Sequence, residues 1–253
     1  IGAGRPEAGR QAFRVLSADP GERLGQRSGI GTRRGMQNHD DDAGHAASLA
    51  REVGRPMRRV RAYIGLGANL GDAAATLVQG VRALAALPGV RLRAVSRLYA
   101  TEPVGVVDQP PFRNAVVALD VPAGPDPATG ATALLVALKQ IERAFGRRDR
   151  ERWGPRELDL DLLVFGRARL ALDRPPEGLS LDAGKADRLL VVPHPEAARR
   201  LFVLAPLADV AAGLVPPGWP ETVATAMARR EVEEGADAVR PVATWDAARS
   251  AWR

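Results

Sequence analysis

The sequence predicts an α+β fold, a ferredoxin-like β-α-β-β-α-β core with an antiparallel sheet, extended by extra C-terminal strands and helices. Four apolar runs typical of strands occur between residues 61 and 166, and segments with helical periodicity follow the first and the third of these runs. The length agrees, since 253 residues with 45% hydrophobic residues can bury the core of one domain, or at most two.

The first three predicted elements are a strand, a helix and a second strand. The first strand, RAYIGLG, covers residues 61–67, and the amphipathic helix covers residues 72–87. Asp72 is placed to cap the start of this helix, and Pro88-Gly89 ends it. The second strand, VRLRAVSRLYAT, follows at residues 90–101.

The second half of the predicted core is a strand, a helix and a fourth strand. A proline-rich loop leads to the third strand at residues 112–121, and the second helix runs from about Pro127 to Phe145, before Gly146. The fourth strand lies in LDLDLLVF, residues 158–165. In this order of elements both helices pack on one face of the sheet, and we expect the other face to be left for a ligand.

The segments outside this core differ in composition. Residues 1–56 are rich in Gly, Arg and Asp and have neither helical nor strand periodicity, so we predict a disordered leader or an over-extended N-terminus ahead of Met57. The domain then covers residues 57–253. After Gly166 we expect a short strand, a polar insertion, a longer apolar segment and a helix, at residues 167–172, 173–188, 188–207 and 220–234.

Composition argues against several classes of protein. The chain has no cysteine, which excludes disulfides, thiolate nucleophiles and cysteine zinc sites, and it shows no signal-peptide pattern and no apolar run long enough to span a membrane. We therefore expect a soluble cytoplasmic protein. The net charge of +6 raises the alternative of an arginine-rich RNA-binding protein. Aromatic residues make up only 4%, however, and no RNP-like pattern occurs, so we expect no nucleic-acid partner.

The glycine-rich segment GLGANLGD, between the first strand and the first helix, raises a nicotinamide-dependent oxidoreductase as another alternative. Its spacing is G-x-G-x-x-x-G, however, and no acidic residue follows about 20 positions later to hold a ribose. The chain also lacks the GxxxxGK[ST] pattern of a phosphate-binding loop. We interpret Gly65, Gly67 and Gly71 as the residues of a tight turn.

Two acidic residues, Asp159 and Asp161, interrupt the apolar fourth strand. Residues two apart in a strand share a face, so both carboxylates point the same way, roughly 6–7 Å apart along the chain. An exposed sheet face is the usual reason for such a pattern, but here the same face continues to Leu163 and Phe165, where the strand becomes buried. Because unpaired buried carboxylates are costly, the pair predicts a site for one metal ion, or for two ions roughly 3.5–4 Å apart.

Arginines dominate the loop GRRDRERWGPR that precedes the acidic strand. They are Arg147, Arg148, Arg150, Arg152 and Arg156. A solvated charge run is the common explanation, but guanidinium groups that bind phosphate oxygens, next to carboxylates that hold Mg²⁺, suit the polyphosphate of a nucleotide. Glu142, His194 and Arg200 are further candidate ligand contacts, with structural roles as the alternative, such as an ion pair from Glu142 to Arg143 or Arg147.

Four segments together resemble the 6-hydroxymethyl-7,8-dihydropterin pyrophosphokinases of folate biosynthesis. They are YIGLGANLGD, YATEPVGVVDQPPFRNAVVAL, RWGPRELDLDLLVFG and VVPHPEAARRLFVLAPL, and they occur in this order between about Arg61 and Val210. The third segment is highly specific. The resemblance implies a diphosphotransferase that moves the β,γ-diphosphate of ATP to the hydroxymethyl group of the pterin and releases AMP.

The resemblance also implies roles for particular residues. Asp159 and Asp161 correspond to the ligands of two Mg²⁺ ions, and Arg147 and Arg156 correspond to catalytic arginines that meet the charge developing on the transferred group. The implied pterin-binding residues are Thr101, Val104, Phe112, Asn114, Trp153 and Phe202. The implied ATP-binding residues are Glu142, Arg152, Leu162, His194 and Arg200.

The partners that the resemblance implies are the small molecules ATP and 6-hydroxymethyl-7,8-dihydropterin, and we expect neither a membrane partner nor an oligomer. The sequence departs from the family pattern at two places. The family often has G-R-x-R after the second helix, where this chain has Gly146-Arg147-Arg148-Asp149-Arg150, and Glu102 stands where some members have proline. The insertion at 173–188 and both termini lie outside the resemblance.

Overall fold

The computed structural model describes residues 58–103, 109–146, 156–174, 188–235 and 237–253. The prediction of a leader at residues 1–56, and most of the predicted insertion at 173–188, lie outside these ranges. The strands are β1 (Arg59–Ala68), β2 (Arg91–Val95), β3 (Leu98–Thr101), β4 (Phe112–Pro122), β5 (Asp159–Phe165), β6 (Leu170–Asp173), β7 (Arg188–Val192), β8 (Val239–Ala243), β9 (Trp245–Asp246) and β10 (Ala251–Trp252). The helices are α1 (Ala73–Ala85), α2 (Pro127–Ala144), α3 (Leu201–Ala211) and α4 (Val223–Glu234), with a short 3₁₀ helix at Ala197–Arg199.

The two core helices begin and end where their capping residues predict. The Asp72 side chain caps α1 by accepting a hydrogen bond from Ala75 N (3.0 Å), and the Asp126 side chain caps α2 by accepting one from Thr129 N (3.0 Å). Helix α2 stops just before Gly146, which has the positive φ (+85°) that favours glycine after a helix.

The main sheet has the strand order β5-β1-β4-β3-β8, with β2 also paired to β4, and all these pairings are antiparallel. Strand β1 lies between β5 and β4, as in the ferredoxin-like order, so the predicted fold class is confirmed. The register places Gly67 of β1 opposite both Asn114 of β4 and Asp159 of β5. Directly opposite residues share a face, so Asn114 and Asp159 project from the same face on either side of a glycine.

The predicted second strand is divided in two at Ser96. Strands β2 and β3 both pair with the long strand β4, and Ser96 lies between them. Its backbone N donates to Val116 O (2.9 Å), but the return hydrogen bond from Val116 N goes to Ser96 Oγ (2.9 Å). A hydroxyl therefore takes the place of a backbone carbonyl, and this local bond competes with a continuous ladder.

Both faces of the sheet are partly covered, which corrects the prediction that one face is left for a ligand. Helices α1 and α2 pack on one face over a core that includes Ile64 and Leu138. Helices α3 and α4 pack on the other face over a second core that includes Val116 and Leu204. The C-terminal helices carry apolar residues that must also be buried, and among the described residues a cleft remains on this face near Gly67.

A β-bulge at Leu163 changes which side chains of β5 share a face. The register between β5 and β1 shifts there, so Leu163 and Val164 both join the core under α3 and α4. Phe165 then lies in the core under α1 and α2. The prediction that Phe165 shares the face of the acid pair is therefore wrong, whereas Leu163 does share that face.

The C-terminal part contains strands that the sequence did not predict. Strand β8 pairs with β3, and β9 and β10 form a hairpin in which the ring centroids of Trp245 and Trp252 are 4.7 Å apart. Trp252 Nε1 donates to Ser96 O (2.8 Å) and ties this hairpin to the break between β2 and β3. Strands β6 and β7 pair with each other in a separate sheet. Of the helices in the described ranges, none combines the length and apolar character needed to cross a bilayer.

Candidate active site

A cleft opens on the sheet face at the point that α3 leaves uncovered. Its enclosed volume is about 140 Å³, and it adjoins a smaller cleft of about 50 Å³. The residues that line the larger cleft are Gly67, Thr101, Glu102, Phe112, Asn114, Arg156, Asp159, Asp161, Arg200 and Phe202.

Two glycines form part of the floor beneath this space. Gly65 and Gly67 lie within β1, opposite the two aspartates of β5, so the prediction that they belong to a tight turn is wrong. Of the three glycines in this segment, only Gly71 has the positive φ (+57°) of a turn residue. A Cβ at Gly67 would lie 3.3 Å from Asn114 Oδ1, which is unusually close. The missing side chain therefore leaves room between the acid pair and the amide.

The acid pair lies at the start of β5, on the cleft face. Arg156 Nη1 donates to Asp159 Oδ1 at 3.0 Å. Withdrawal from water raises the pKa of the Asp161 carboxyl, and the negative charge of Asp159 raises it further, while His194, Lys139 and Arg156 act in the opposite direction. A carboxylate in this position gains stability from a bound cation.

The donor set of the acid pair suits Mg²⁺. Both side chains offer carboxylate oxygens, the hard donors that Mg²⁺ prefers. Within the described ranges, no three His, Cys, Asp or Glu side chains come together as a metal-binding group. Because Mg²⁺ is usually held by one or two carboxylates together with substrate phosphates, the pair matches a metal that binds along with a nucleotide.

Two arginines bring positive charge to the cleft from different elements. Arg156 ends the loop before β5, and Arg200 immediately precedes α3. The guanidinium carbon of Arg200 lies 5.8 Å from the ring centroid of Phe202, and its Nη2 lies 3.9 Å from Glu196 Oε2. Both guanidinium groups therefore border the space in front of the two aspartates.

His194 lies in the turn that joins β7 to the 3₁₀ helix. Its backbone N donates to Leu163 O (2.9 Å), which fastens this turn to β5, and its Nδ1 accepts a hydrogen bond from Glu196 N (3.3 Å). The imidazole is near enough to Asp161 to lower the pKa of that carboxyl. The histidine thus lies near Asp161, on a different part of the chain from Arg156.

The other part of the cleft is aromatic. Phe112 begins β4 and Phe202 lies in the first turn of α3, and both line the cleft. The buried Asn114 donates from Nδ2 to Thr101 Oγ1 (2.9 Å), and its Oδ1 lies over Gly67. This bond fixes the orientation of the amide, with its acceptor toward the cleft. Two aromatic rings and a fixed amide suit a flat ring with a hydrogen-bonding edge.

The structure brings most of the predicted site residues together. The ones that line the cleft are Thr101, Phe112, Asn114, Arg156, Asp159, Asp161, Arg200 and Phe202. The predictions for Val104, Arg147, Arg152 and Trp153 fall outside the described residues. Leu162 does not line the cleft. It is buried in the core under α1 and α2, where 3% of it is exposed.

Glu142 is buried between α2 and β5, with 1% of its side chain exposed. Its Oε1 accepts hydrogen bonds from Leu160 N (2.7 Å) and from Lys139 Nζ (2.8 Å). Leu160 separates the two aspartates, so Glu142 holds the strand that carries them. Lys139 is an ion-pair partner that the sequence interpretation did not consider.

Three residues of the site were not predicted from the sequence. Gly67 lines the cleft, and its spacing of two from Gly65 was the signal that both lie on one strand face. Glu102 also lines the cleft, with its Oε1 3.7 Å from Arg240 Nη2 of β8. Asn69 follows β1 directly and forms hydrogen bonds with Gln109 and with Arg156, beside the cleft. The only sign of it in the sequence was a polar residue at the end of a predicted strand.

Comparisons with known proteins agree on one family. The family model for 7,8-dihydro-6-hydroxymethylpterin-pyrophosphokinase (HPPK) matches residues 63–212. A 2-amino-4-hydroxy-6-hydroxymethyldihydropteridine pyrophosphokinase of Methylorubrum extorquens is 42% identical over 169 residues, which are 67% of this chain and 92% of the relative. The enzyme of the same name from Bacillus subtilis is 39% identical over 149 residues, 59% of this chain and 77% of the relative.

Solved structures support the fold alone, because their sequences are distant. A crystal structure of Plasmodium falciparum HPPK-DHPS with pteroate has a TM-score of 0.55 at 13% identity, over 79% of this chain. A structure described as HPPK-DHPS in complex with substrates has a TM-score of 0.58 at 12% identity, over 77% of this chain. The chain spans about half the length of each of these longer proteins, 49% in both cases.

Proposed function

The chain belongs to the 7,8-dihydro-6-hydroxymethylpterin pyrophosphokinase family, and from this premise we propose how its cleft performs the reaction. The reaction transfers a diphosphate group from ATP to 6-hydroxymethyl-7,8-dihydropterin in folate biosynthesis, and it makes the protein a diphosphotransferase. The hydroxymethyl oxygen forms a bond to the β-phosphorus of ATP, the bond from that phosphorus to the oxygen of AMP breaks, and the hydroxyl proton is released. The observation that carries the proposal is a single cleft with the acid pair and two arginines beside two phenylalanines and a fixed amide.

Asp159 and Asp161 hold Mg²⁺, and we propose two ions that bind with the triphosphate. The raised pKa of Asp161 is the structural support, because a carboxylate destabilised by burial and by a second negative charge favours a divalent cation. The bound ions would neutralise phosphate charge and so favour attack on the β-phosphorus. Gly65 and Gly67, opposite the pair, leave space for the phosphates.

Arg156 and Arg200 contact the phosphates of ATP. A guanidinium group forms two charge-assisted hydrogen bonds to phosphate oxygens and keeps its charge throughout. Arg156 Nη1 lies 3.0 Å from Asp159 Oδ1. If Asp159 holds the metal that binds the phosphates, the guanidinium group of Arg156 is within reach of the phosphate oxygens. We assign Arg147 to the same catalytic role, and Arg152, Glu142, Leu162 and His194 to the nucleotide site, on the family resemblance.

The pterin binds between the aromatic residues. Phe112 and Phe202 stack on its two faces, and Asn114 bonds to its polar edge through the carbonyl oxygen that Thr101 leaves available. Thr101, Val104 and Trp153 complete this part of the site on the family resemblance. The hydroxymethyl group then points toward the acid pair, because the aromatic and the charged residues line one continuous space.

We also propose that the chain acts as a monomer in the cytoplasm. The acid pair, the arginines and the two phenylalanines that line the cleft lie within one chain, which is compatible with a monomer. The reaction consumes ATP, and a chain without cysteine does not depend on an oxidising compartment.

The reaction is tested by incubating the purified chain with ATP, Mg²⁺ and 6-hydroxymethyl-7,8-dihydropterin and separating the nucleotides. We expect AMP and the pterin diphosphate in equal amounts, and no AMP when the pterin is omitted or EDTA is added. Formation of ADP would instead indicate transfer of a single phosphoryl group and would overturn the proposal.

A further inference from the structure

A polar cluster fastens helix α3 to strand β3, beside the aromatic part of the cleft. Tyr99 is 3% exposed, and its hydroxyl donates to Asp209 Oδ2 (2.9 Å). The same oxygen accepts from Arg97 N (3.0 Å), and Asp209 Oδ1 accepts from Arg97 Nη2 (2.7 Å). Hydrogen bonds to a carboxylate are stronger than those between neutral groups, so this cluster is a firm attachment of the helix to the sheet.

Tyr99 adjoins the residues that we propose for the pterin. The register of β3 and β4 places it directly opposite Asn114, so both side chains project from the same face of the sheet. Thr101 is two residues further along β3 and shares that face. The Tyr99 ring packs in a cluster with Leu201 of α3, and Phe202 packs against the same cluster. Tyr99 therefore joins the strands that carry the amide and the threonine to the helix that carries the phenylalanine.

Asp209 holds α3 on the side of the helix that carries Phe202. The two residues are seven positions apart, which is two helical turns, so they lie on one face of the helix and about 10 Å apart along its axis. A helix held at Asp209 cannot slide or turn over β3 without breaking a charge-assisted hydrogen bond to a buried tyrosine. The bond to Tyr99 thereby fixes where Phe202 lies above the sheet.

The phosphate-binding part of the cleft is fastened to a different strand. His194 N donates to Leu163 O (2.9 Å), which attaches the turn before Arg200 to β5, the strand of the acid pair. A change at Asp209 is therefore expected to act first on the aromatic part of the cleft.

We propose that Asp209, through the hydroxyl of Tyr99, is a positioning residue for the pterin, because it sets the position of Phe202 relative to Phe112 and Asn114. The inference rests on the proposed function, which supplies the ligand. Asp209 and Tyr99 are not among the described residues that line the cleft, so they act on the pterin through Phe202. Stacking requires close contact of a ring with its neighbours, so binding of a flat ring is sensitive to this position.

The two oxygens of Asp209 allow variants that separate its contacts. Asp209→Asn, with its carbonyl in the Oδ2 position, still accepts from Tyr99 but presents an NH₂ group to the guanidinium of Arg97. Tyr99→Phe does the reverse, because it removes only the hydroxyl and keeps the ring in its cluster, and Asp209→Ala removes all these contacts. Asp120→Asn is the matched control, because Asp120 pairs with Arg61 (2.7 Å) at the far end of β4 from the cleft.

The test compares two dissociation constants in each variant. Fluorescence titration gives the Kd of the pterin at a saturating concentration of a non-hydrolysable ATP analogue and Mg²⁺, and calorimetry gives the Kd of the analogue alone. We expect the pterin Kd to rise by about tenfold or more in Asp209→Ala and in Tyr99→Phe, because a misplacement of about 1 Å costs up to about 10²-fold. Asp209→Asn and Asp120→Asn keep a pterin Kd close to the wild-type value, and the Kd of the analogue stays close to it in all four variants.

A merely structural role for the cluster predicts that Asp209→Ala and Tyr99→Phe lower the Tm and leave the pterin Kd unchanged, and that result overturns the inference. Equal weakening of the pterin and the analogue also overturns it, as does a loss in Asp209→Asn as large as in Asp209→Ala. If Asp209→Ala does not fold, Tyr99→Phe decides. Failure of the proposed function is distinct, because the wild-type protein would then neither bind the pterin nor form AMP.

Discussion

At the scale of single residues, Asp161 is the clearest conflict between local stability and function. Its carboxyl is withdrawn from water beside a second carboxylate, and both effects raise its pKa. No packing benefit requires a charge there, because the neighbouring residues of β5 are buried leucines. Such a residue is typical of a functional site, where chemistry is maintained at the expense of stability.

We predict that Asp161→Asn increases the stability of the metal-free protein at pH 7. The folded-state pKa lies above the unfolded value of about 3.9, so the folded chain binds more protons between the two values and stability falls as pH rises through that window. The difference between variant and wild type is therefore larger at pH 7 than at a pH below the unfolded pKa of about 3.9. Urea denaturation in EDTA at the two pH values measures it.

The control for this measurement is Asp173→Asn, because the Asp173–Arg188 ion pair is exposed and removing it changes stability little. The same Asp161→Asn protein should lose turnover by orders of magnitude at saturating Mg²⁺. Turnover within a few-fold of wild type would show that Asp161 does not hold the metal.

Arg156 is expected to act mainly after substrates bind. We predict that Arg156→Ala lowers kcat by about 10²–10³, by analogy with the loss of one preorganised donor, while binding of pterin or of an ATP analogue weakens much less. Single-turnover kinetics and fluorescence titration separate the two effects. Arg249→Ala, which removes an exposed arginine paired with Asp246, is the matched control. Loss of affinity with unchanged kcat would reassign Arg156 to ground-state binding.

At the scale of elements, the strand that carries the acid pair is held on both sides. Its inner edge pairs with β1, and on its other side Leu160 N donates to Glu142 of α2. An edge strand with a buried backbone N–H needs such a partner. Glu142 therefore positions the segment between Asp159 and Asp161 through the backbone, whatever contact it makes with the nucleotide.

We predict that Glu142→Ala lowers the free energy of unfolding by about 1–3 kcal/mol or more, because Leu160 N loses its buried acceptor and Lys139 loses its partner. Glu142→Gln keeps a carbonyl acceptor and loses less. Urea denaturation compares the two variants, and the KM for ATP of the Gln variant reports on the nucleotide contact. Equal stability of the Ala variant and the wild type would contradict the structural role.

At the scale of the whole molecule, the C-terminal elements close the site. Strand β8 pairs with β3, so that Val239 lies opposite Thr101, and Val239 also packs in a cluster with Tyr99 and Leu201. Phe202 packs against the same cluster. Residues beyond the part that resembles the family therefore support both the threonine and the phenylalanine that we propose for the pterin site.

We predict that a chain beginning at Met57 keeps activity within about twofold of the full chain. Strand β1 begins at Arg59 and already pairs with β4 on one side and β5 on the other, so its hydrogen-bonding edges need no further strand. The rate of AMP formation and the Tm of the shortened and the full chain decide this. A large drop in Tm would show that residues 1–56 are part of the folded domain.

The sequence by itself predicted the elements of the core and most of the described residues that line the candidate site. Side-chain periodicity, capping residues and turn residues are local signals, so α1, α2, β4 and β5 form where the sequence predicts them. The acid pair and Arg156 could also be found, because residues 156–161 contain four charged side chains, which conflict with the apolar pattern of the strand that follows.

Only the tertiary structure decided which faces these residues occupy and what joins them. The bulge at Leu163 depends on the pairing with β1, and the cover over the second face depends on where α3 packs. The hydrogen bonds of Asn69 connect residues up to 87 positions apart. The register of the strands, the helices that cover each face and these distant contacts all arise from burial and backbone pairing between elements. Periodicity within one element carries no information about the element that pairs with it.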